Sequence, residues 1–229
     1  MATHHGSRSV PTAEIGDGHP LSLALITLTA VSGLVDAVCY LGLGRVFTAN
    51  MTGNVVVIGF ALAGAPGFSV IGSLVSLAAF LVGAVAAGRL ANAFRDRHRV
   101  PWVRTAVWIE AVLLGAATAV AFTAGRTPPY PVIALVALAM GLRNGTVGRL
   151  AVPSMSTTVL TRTLAALAAD SRLAGGADRR AVRRIIAVAA MVAGAVPGAW
   201  LVLHHGIGWP LLLTTVIVAV TALAYREGD

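Results

Sequence analysis

The sequence predicts an all-α integral membrane protein with six full transmembrane helices, two short half or re-entrant helices, and two structural repeats of inverted topology. Three observations lead to this prediction: the composition, an internal match between two halves, and the placement of the arginines. Of the 229 residues, 57% are hydrophobic and 11% are charged, whereas soluble domains are about 45–50% apolar and about 25% charged. The alternative fold is eight crossings with parallel repeats.

Eight apolar segments follow one another along the chain. They cover residues 20–43, 52–65, 68–90, 102–124, 130–150, 157–169, 185–203 and 209–225. Six are close to the roughly 20 residues that a spanning helix needs, and the second and sixth are clearly shorter. We expect residues 1–19, which are polar, to form a disordered cytoplasmic tail, and residues 20–229 to form a single helical membrane domain.

The two halves of this domain, about 20–125 and 129–226, resemble one another. Three matches occur in the same order at offsets of 108 to 111 residues. The matched pairs are Gly33 with Gly141, Thr48 with Thr157, and Gly83 with Gly194. Each match is weak by itself because glycine is common in membrane helices, but together they indicate a duplication.

The arginines indicate how the halves are oriented. The net charge is +8, and most of it lies in two loops. These loops hold Arg89, Arg95, Arg97, Arg99 and Arg104, and Arg172, Arg179, Arg180, Arg183 and Arg184. Loops rich in arginine stay in the cytoplasm, so the charge requires no nucleic-acid partner.

Both arginine loops face the cytoplasm only if one of the three segments between them does not cross. The sixth segment is the short one, and the repeat predicts the same behaviour for the second. Each half then has three crossings, so the second half is inverted relative to the first. We therefore expect a multi-pass protein of the inner (plasma) membrane with both termini in the cytoplasm.

A polar stretch between the first and second segments is the candidate binding site. Its polar or small residues are Thr48, Asn50, Thr52, Gly53 and Asn54. In one interpretation they begin a half-helix inside the membrane, whose free N–H groups attract an anion or a polar solute. In the other they form an interfacial cap, in which Asn50 or Thr52 satisfies the first turn. Thr161 is the counterpart of Thr52 in the second half. We expect the substrate-binding residues to be this polar stretch together with Asp36, Arg143, Asn144 and Thr161.

Charged residues inside the apolar segments need partners, because a lone charge at membrane depth costs about 2.5–3.5 kcal/mol. Asp36 lies well inside the first segment. Its counterpart in the second half is Asn144, so the neighbouring Arg143 is the predicted partner of Asp36. We expect Glu110 to reach the interface by snorkelling. Arg162 either lines a cavity or reaches the cytoplasmic surface.

The polar stretch also carries a resemblance to a known family. Asp36-Ala37 followed by VFTANMTGN at 46–54 resembles the signature of the YoaK-type bacterial membrane proteins, a family catalogued as domain of unknown function 1275. The resemblance extends over about residues 20–225. It implies a small bacterial inner-membrane protein with about six crossings, and it implies no particular substrate.

The function that we expect is a small-solute transporter or channel, for a small organic anion or another polar solute. Arginines outnumber acids in and beside the apolar segments, and two half-helix N-termini would add partial positive charge. Asp36 could couple solute movement to protons, since acids inside membranes form proton relays. The alternative is a non-transporting membrane partner or assembly protein.

Other classes of function and partner are not expected. The sequence holds no HExxH or GxSxG motif, and no histidine lies in the middle of a segment, so an enzyme is not predicted. The single cysteine, Cys39, excludes an intrachain disulfide and a site with several cysteine ligands. We expect no cofactor and no metal. The expected partners are the lipid bilayer and a small-molecule or ion solute, and a homo-oligomer stays open.

Overall fold

The computed structural model describes residues 20–94, 99–123, 129–150, 160–171, 174–175 and 181–225. The secondary structure in these ranges is helical, with eight α-helices. They are α1 (Pro20–Gly42), α2 (Met51–Leu62), α3 (Val70–Ala93), α4 (Arg99–Thr123), α5 (Tyr130–Leu150), α6 (Leu160–Ala169), α7 (Ala181–His205) and α8 (Gly208–Ala224). The tail predicted at 1–19 lies outside the described residues.

Five of these helices, α1, α3, α4, α5 and α7, are long and apolar enough to cross a membrane. The apolar helices α8 and α2 are shorter, with 17 and 12 residues, and α6 has 10. Large apolar side chains also point outwards: Val82, Val112 and Val192 are each more than half exposed. An apolar exterior around apolar helices is what a lipid environment requires, so the described part of the chain has the helical content and the surface expected of an all-α membrane protein.

Helices α1 and α7 touch backbone to backbone at two glycines. A Cβ added to Gly33 would overlap the carbonyl oxygen of Met191, and one added to Gly194 would overlap that of Ala30. Small residues at such crossings let the backbones approach, which is the main source of attraction between helices in lipid.

Helices α3 and α5 cross in the same way. A Cβ at Gly83 would overlap the carbonyl oxygen of Leu138, and a Cβ at Gly141 would overlap that of Phe80. The glycines matched in the sequence thus occupy equivalent places in two helix crossings.

The contacts also give the relative directions of the helices. Along α1 and α7, and along α3 and α5, residue numbers rise together, so each pair is parallel. The contacts are Ala30 with Gly194, Leu34 with Gly198 and Gly42 with Val202, and Phe80 with Gly141, Ala84 with Gly145 and Gly88 with Arg149.

Helices α4 and α8 run antiparallel, because Phe122 contacts Trp209 edge to face at one end and the Thr118 and Thr215 hydroxyls are hydrogen-bonded further along. At the other end, Val103 and Tyr225 line one cavity. Helix α1 is also antiparallel to α8, and α4 to α5. The starts of α1, α4 and α7 and the ends of α3, α5 and α8 therefore lie at one end of the bundle.

The pairing of helices stays the same when the two halves are exchanged. Helices α1 to α4 correspond to α5 to α8. The exchange converts α1–α7 into α5–α3, α1–α8 into α5–α4, α2–α3 into α6–α7 and α3–α4 into α7–α8, all of which are packed pairs. The pair α4–α8 maps onto itself. With the helices matched as the sequence predicts, α1 runs opposite to α5, α3 to α7 and α4 to α8.

We expect Gly141→Ala to destabilise the bundle, because its methyl group would push α5 away from the backbone of α3. Overpacking a tight contact usually costs about 1–3 kcal/mol. The matched control is Gly148→Ala on the same helix, where an added Cβ has no atom within 4 Å. Unfolding free energies from SDS titration in mixed micelles would measure both. Equal stability of the two variants would contradict the close crossing.

Candidate functional site

A buried ion pair links α4 to α5. Glu110 is 1% exposed and Arg143 is 3% exposed, and the Arg143 Nη2 group donates to the Glu110 carboxylate. Arg143 Nη1 also donates to the carbonyl oxygen of Leu28 and the hydroxyl of Ser32, both at 3.0 Å. Arg143 therefore ties three helices together at one point.

The predicted pairing of Asp36 with Arg143 is wrong. Arg143 lies close enough to influence the Asp36 carboxylate electrostatically, but its ion pair is with Glu110. The expectation that Glu110 snorkels to the interface is wrong for the same reason. Helix α4 begins at Arg99, which puts Glu110 about three turns inside. Pro101 could have shown this, since proline is tolerated in a first helical turn.

The Asp36 carboxylate instead lies against the residues that follow α1. The backbone N–H of Ala49 approaches the Asp36 carboxylate, and the Cys39 sulfur lies 3.2 Å from the Thr48 hydroxyl. Residues 43–50 therefore run back along the last turns of α1. The Asp36 Oδ1 atom is buried and has no hydrogen-bond partner among the described residues.

Asn54 fixes the backbone of this returning segment. Its side chain is fully buried; it accepts from the Phe47 N–H at 2.8 Å and donates to the Phe47 carbonyl at 2.6 Å. It also donates to Ser76 at 3.2 Å, and Ser76 donates to the same Phe47 carbonyl at 2.6 Å. Asn54 is thus a clamp between the segment, α2 and α3. The sequence pointed to Asn54 but not to its partner Ser76.

Helix α2 leads the chain back to the end of the bundle where α1 finishes. It begins beside Asp36, which lies about 9 Å from the end of α1 at 1.5 Å per residue. It ends near the start of α3, where Phe60 contacts Phe68 and the Arg45 guanidinium lies 5.3 Å from the Phe68 ring. The chain therefore runs from the end of α1 to the neighbourhood of Asp36 and then to the start of α3.

The remaining predicted residues of the first half divide into open and packed positions. Asn50 and Thr52 are exposed. Asn50 occupies the N-cap position of α2, but its side chain makes no capping hydrogen bond. Gly53 packs against Phe47, and a Cβ added to Gly53 would lie only 2.6 Å from a ring atom of Phe47. The Gly53 N–H donates to the Asn50 carbonyl oxygen at 3.1 Å, but the Asn50 side chain satisfies none of the first-turn N–H groups.

The second half is described less completely. Asn144 is partly buried in α5 and Thr161 is exposed in the first turn of α6. The side chain of Arg162 lies outside the described residues, as do 151–159. Arg184 of α7 holds the end of α6, donating to the Ala166 carbonyl at 2.7 Å and to Asp170 at 2.8 Å.

A small cavity adjoins the Glu110–Arg143 pair. About 20 Å³ of it is open to a water molecule, which is room for one water and not for an organic solute. Asp36 and Asn50 do not line it. In the described part of the chain, no three His, Cys, Asp or Glu residues lie together in a way that could hold a metal ion.

We expect Glu110→Gln and Arg143→Gln each to cost about 3–5 kcal/mol of stability, because each leaves a buried charge without its partner. The double variant should lose much less than the sum of the two. The control cycle is Asp36→Asn with Arg143→Gln, whose coupling should be clearly smaller because these side chains interact electrostatically but do not form an ion pair. SDS titration of the purified variants measures both cycles. Stronger coupling in the control cycle would contradict the assigned pair.

Comparisons with known proteins identify the family of this chain. Residues 24–224 match the family described as "Protein of unknown function (DUF1275)". The chain is also similar to "UPF0700 transmembrane protein YoaK" of Bacillus subtilis (strain 168), with 36% identity over 148 residues. That match covers 65% of each chain, so the chain spans slightly less than two thirds of this relative. No solved structure matches. Since the family match covers most of the chain, the protein belongs to the DUF1275 family.

Proposed function

We propose that this protein is a non-enzymatic transporter or channel of the bacterial inner membrane, with a small polar or anionic organic solute. It has six crossings in two inverted repeats, and α2 and α6 are re-entrant. The observation that carries the proposal is the opposite direction of equivalent helices in the two halves. Inverted repeats with broken helices at their interface are a common plan of secondary transporters.

The arrangement of helix ends supports six crossings. Helix α8 has 17 residues, or about 26 Å at 1.5 Å per residue, against a hydrocarbon core of about 30 Å. A mismatch of this size is accommodated by local thinning of the bilayer. The ends of the helices that adjoin the two arginine loops and the two chain termini lie at one end of the bundle. Because arginine-rich loops stay in the cytoplasm, we propose that this end faces the inside of the cell.

The start of α2 is the proposed solute site. Its first-turn N–H groups lie at the depth of Asp36, and the positive end of the helix dipole points into the bundle. Asn50 and Thr52 are exposed there and offer further hydrogen bonds. The Asp36 carboxylate already faces the Ala49 N–H. A charged Asp36 therefore competes with an anionic solute for the helix end, whereas a neutral Asp36 leaves it open, which would couple the solute to a proton.

The first test is the orientation of the two arginine loops. Cysteines introduced as Arg97→Cys and Arg180→Cys, in a chain carrying Cys39→Ala, should both be labelled by an impermeant maleimide only from the cytoplasmic side. Thr161→Cys and Gly64→Cys place cysteines in or beside the two proposed re-entrant segments, and their labelling is compared with that of positions 97 and 180. Labelling of positions 97 and 180 from opposite sides would rule out inverted repeats and favour eight crossings.

The second test is solute flux in liposomes containing purified protein. Under an imposed pH gradient, a panel of small organic anions and neutral polar solutes should include one that the protein moves. We expect Asp36→Asn and Asn50→Ala to lower its uptake at least tenfold, because they remove the proposed proton carrier and an exposed polar contact. Thr123→Ala, an exposed threonine at the end of α4, is the control and should not change uptake.

The outcomes separate the hypotheses. Uptake that is unchanged in both variants would remove the start of α2 as the site. Transport of cations alone would contradict the charge of the proposed site. No flux for any class of solute would favour a non-transporting membrane partner over a transporter.

A further inference from the structure

A groove opens on the outside of the bundle between α1 and α8, near the end that holds the arginine loops. Its volume is about 540 Å³, within the 300–1,000 Å³ typical of small-molecule sites. Its walls are mainly apolar. They are formed by Leu23, Ala24, Thr27, Val216, Ile217, Val220, Thr221, Ala224 and Tyr225.

The groove leads towards the buried ion pair. Ala24, Thr221 and Tyr225 line both the groove and the small cavity beside Glu110 and Arg143. The two spaces therefore adjoin one another at these three residues.

Arg143 has a hydrogen-bond donor left over in this region. Its Nη1 and Nη2 groups donate to Leu28, Ser32 and Glu110. Its Nε is buried and has no partner within the described ranges. An unpaired buried donor costs free energy, and a ligand with an acceptor would remove that cost.

The charge of the site limits which acceptor it favours. Glu110 and Arg143 together are neutral, so an anionic ligand would leave one net charge in an apolar interior. Burying an uncompensated charge is far more costly than burying a neutral polar group that is hydrogen-bonded. A neutral acceptor, such as a ketone, ester or amide carbonyl, satisfies Nε without this penalty.

We propose that the α1–α8 groove is a lateral entrance from the bilayer to Arg143, and that it takes a long-chain lipophilic molecule with a neutral carbonyl head. The chain lies in the groove, and only the carbonyl oxygen enters the cavity beside the ion pair, where it takes the space of the one water that fits there. This site is distinct from the start of α2, and its occupation does not depend on whether the protein transports a solute.

The test is photolabelling of the full chain in lipid nanodiscs with a long-chain methyl ketone that carries a diazirine near its tail. Labelling should saturate and map to the groove-lining residues of α1 and α8. Unlabelled ketone should compete about tenfold better than the alkane of equal length, which is the usual scale for one unpaired buried donor. It should also compete better than the corresponding carboxylic acid.

Two tryptophan variants test the position without touching the ion pair. Val220→Trp fills the groove and should reduce labelling at least tenfold. Val192→Trp on the outer face of α7 is the matched control, since Val220 and Val192 are 56% and 57% exposed. Its labelling should equal that of the unmodified protein.

Four results would overturn the proposal. Equal competition by the alkane would show that the head is not recognised, and stronger competition by the acid would contradict the charge reasoning. Undiminished labelling of Val220→Trp would place the ligand elsewhere. Equal loss in Val192→Trp would reduce the labelling to a general effect of surface tryptophans.

Discussion

Close backbone contact at four glycines is the constraint on which the rest of this bundle depends. Lipid tails are as apolar as the side chains of the helices, so the hydrophobic effect does not draw helices together inside a membrane. Attraction then comes from van der Waals contact and interhelical hydrogen bonds. At Gly33, Gly83, Gly141 and Gly194 even a methyl group would meet a carbonyl oxygen of the facing helix. These crossings join α1 to α7 and α3 to α5.

Buried polar groups then hold together the helices that the glycine contacts allow to approach. Arg143 connects α5 to α4 through Glu110 and to α1 through Leu28 and Ser32. Asn54 performs a similar task at the other end, holding both backbone groups of Phe47. Buried polar groups are costly when unpaired, so each network selects one arrangement of the helices against shifted alternatives.

The division of the bundle into two parallel helix pairs bears on the transport mechanism proposed above. Helices α1 and α7 form one parallel pair and α3 and α5 form another, with α4 and α8 crossing between them. The half-helix α2 is attached to the second pair through Ser76, while Asp36 belongs to the first. For the transporter proposed above, movement of one pair against the other would alter the distance between Asp36 and the start of α2, the kind of change that alternating access uses.

The two acids inside the apolar helices, Asp36 and Glu110, are compensated differently by their surroundings. Asp36 faces a helix N-terminus, where a carboxylate is stabilised by N–H groups and by the dipole. Glu110 faces Arg143 in a site with almost no solvent. An acid in an apolar helix thus has two ways of being compensated, by a cation or by a helix end, and this protein uses both.

The sequence by itself determined the membrane class, the eight helices, the two short segments and the glycines that match between the halves. These features depend on local composition and on period, because the length of an apolar run and the position of an arginine loop are properties of the chain alone. The family followed from the stretch at 46–54 for the same reason. Glu110 was misplaced because the start of α4 was set three residues too late.

Only the tertiary structure decided the partners. From the sequence, Arg143 could pair with either of two acids, Asp36 or Glu110. Which of them it pairs with depends on how α4 packs against α5. Asn54 could equally have faced a cavity, and its partner Ser76 lies 22 residues away on another helix. Pairing in lipid is set by which helix faces approach most closely, and that geometry is a property of the whole bundle and of no single segment.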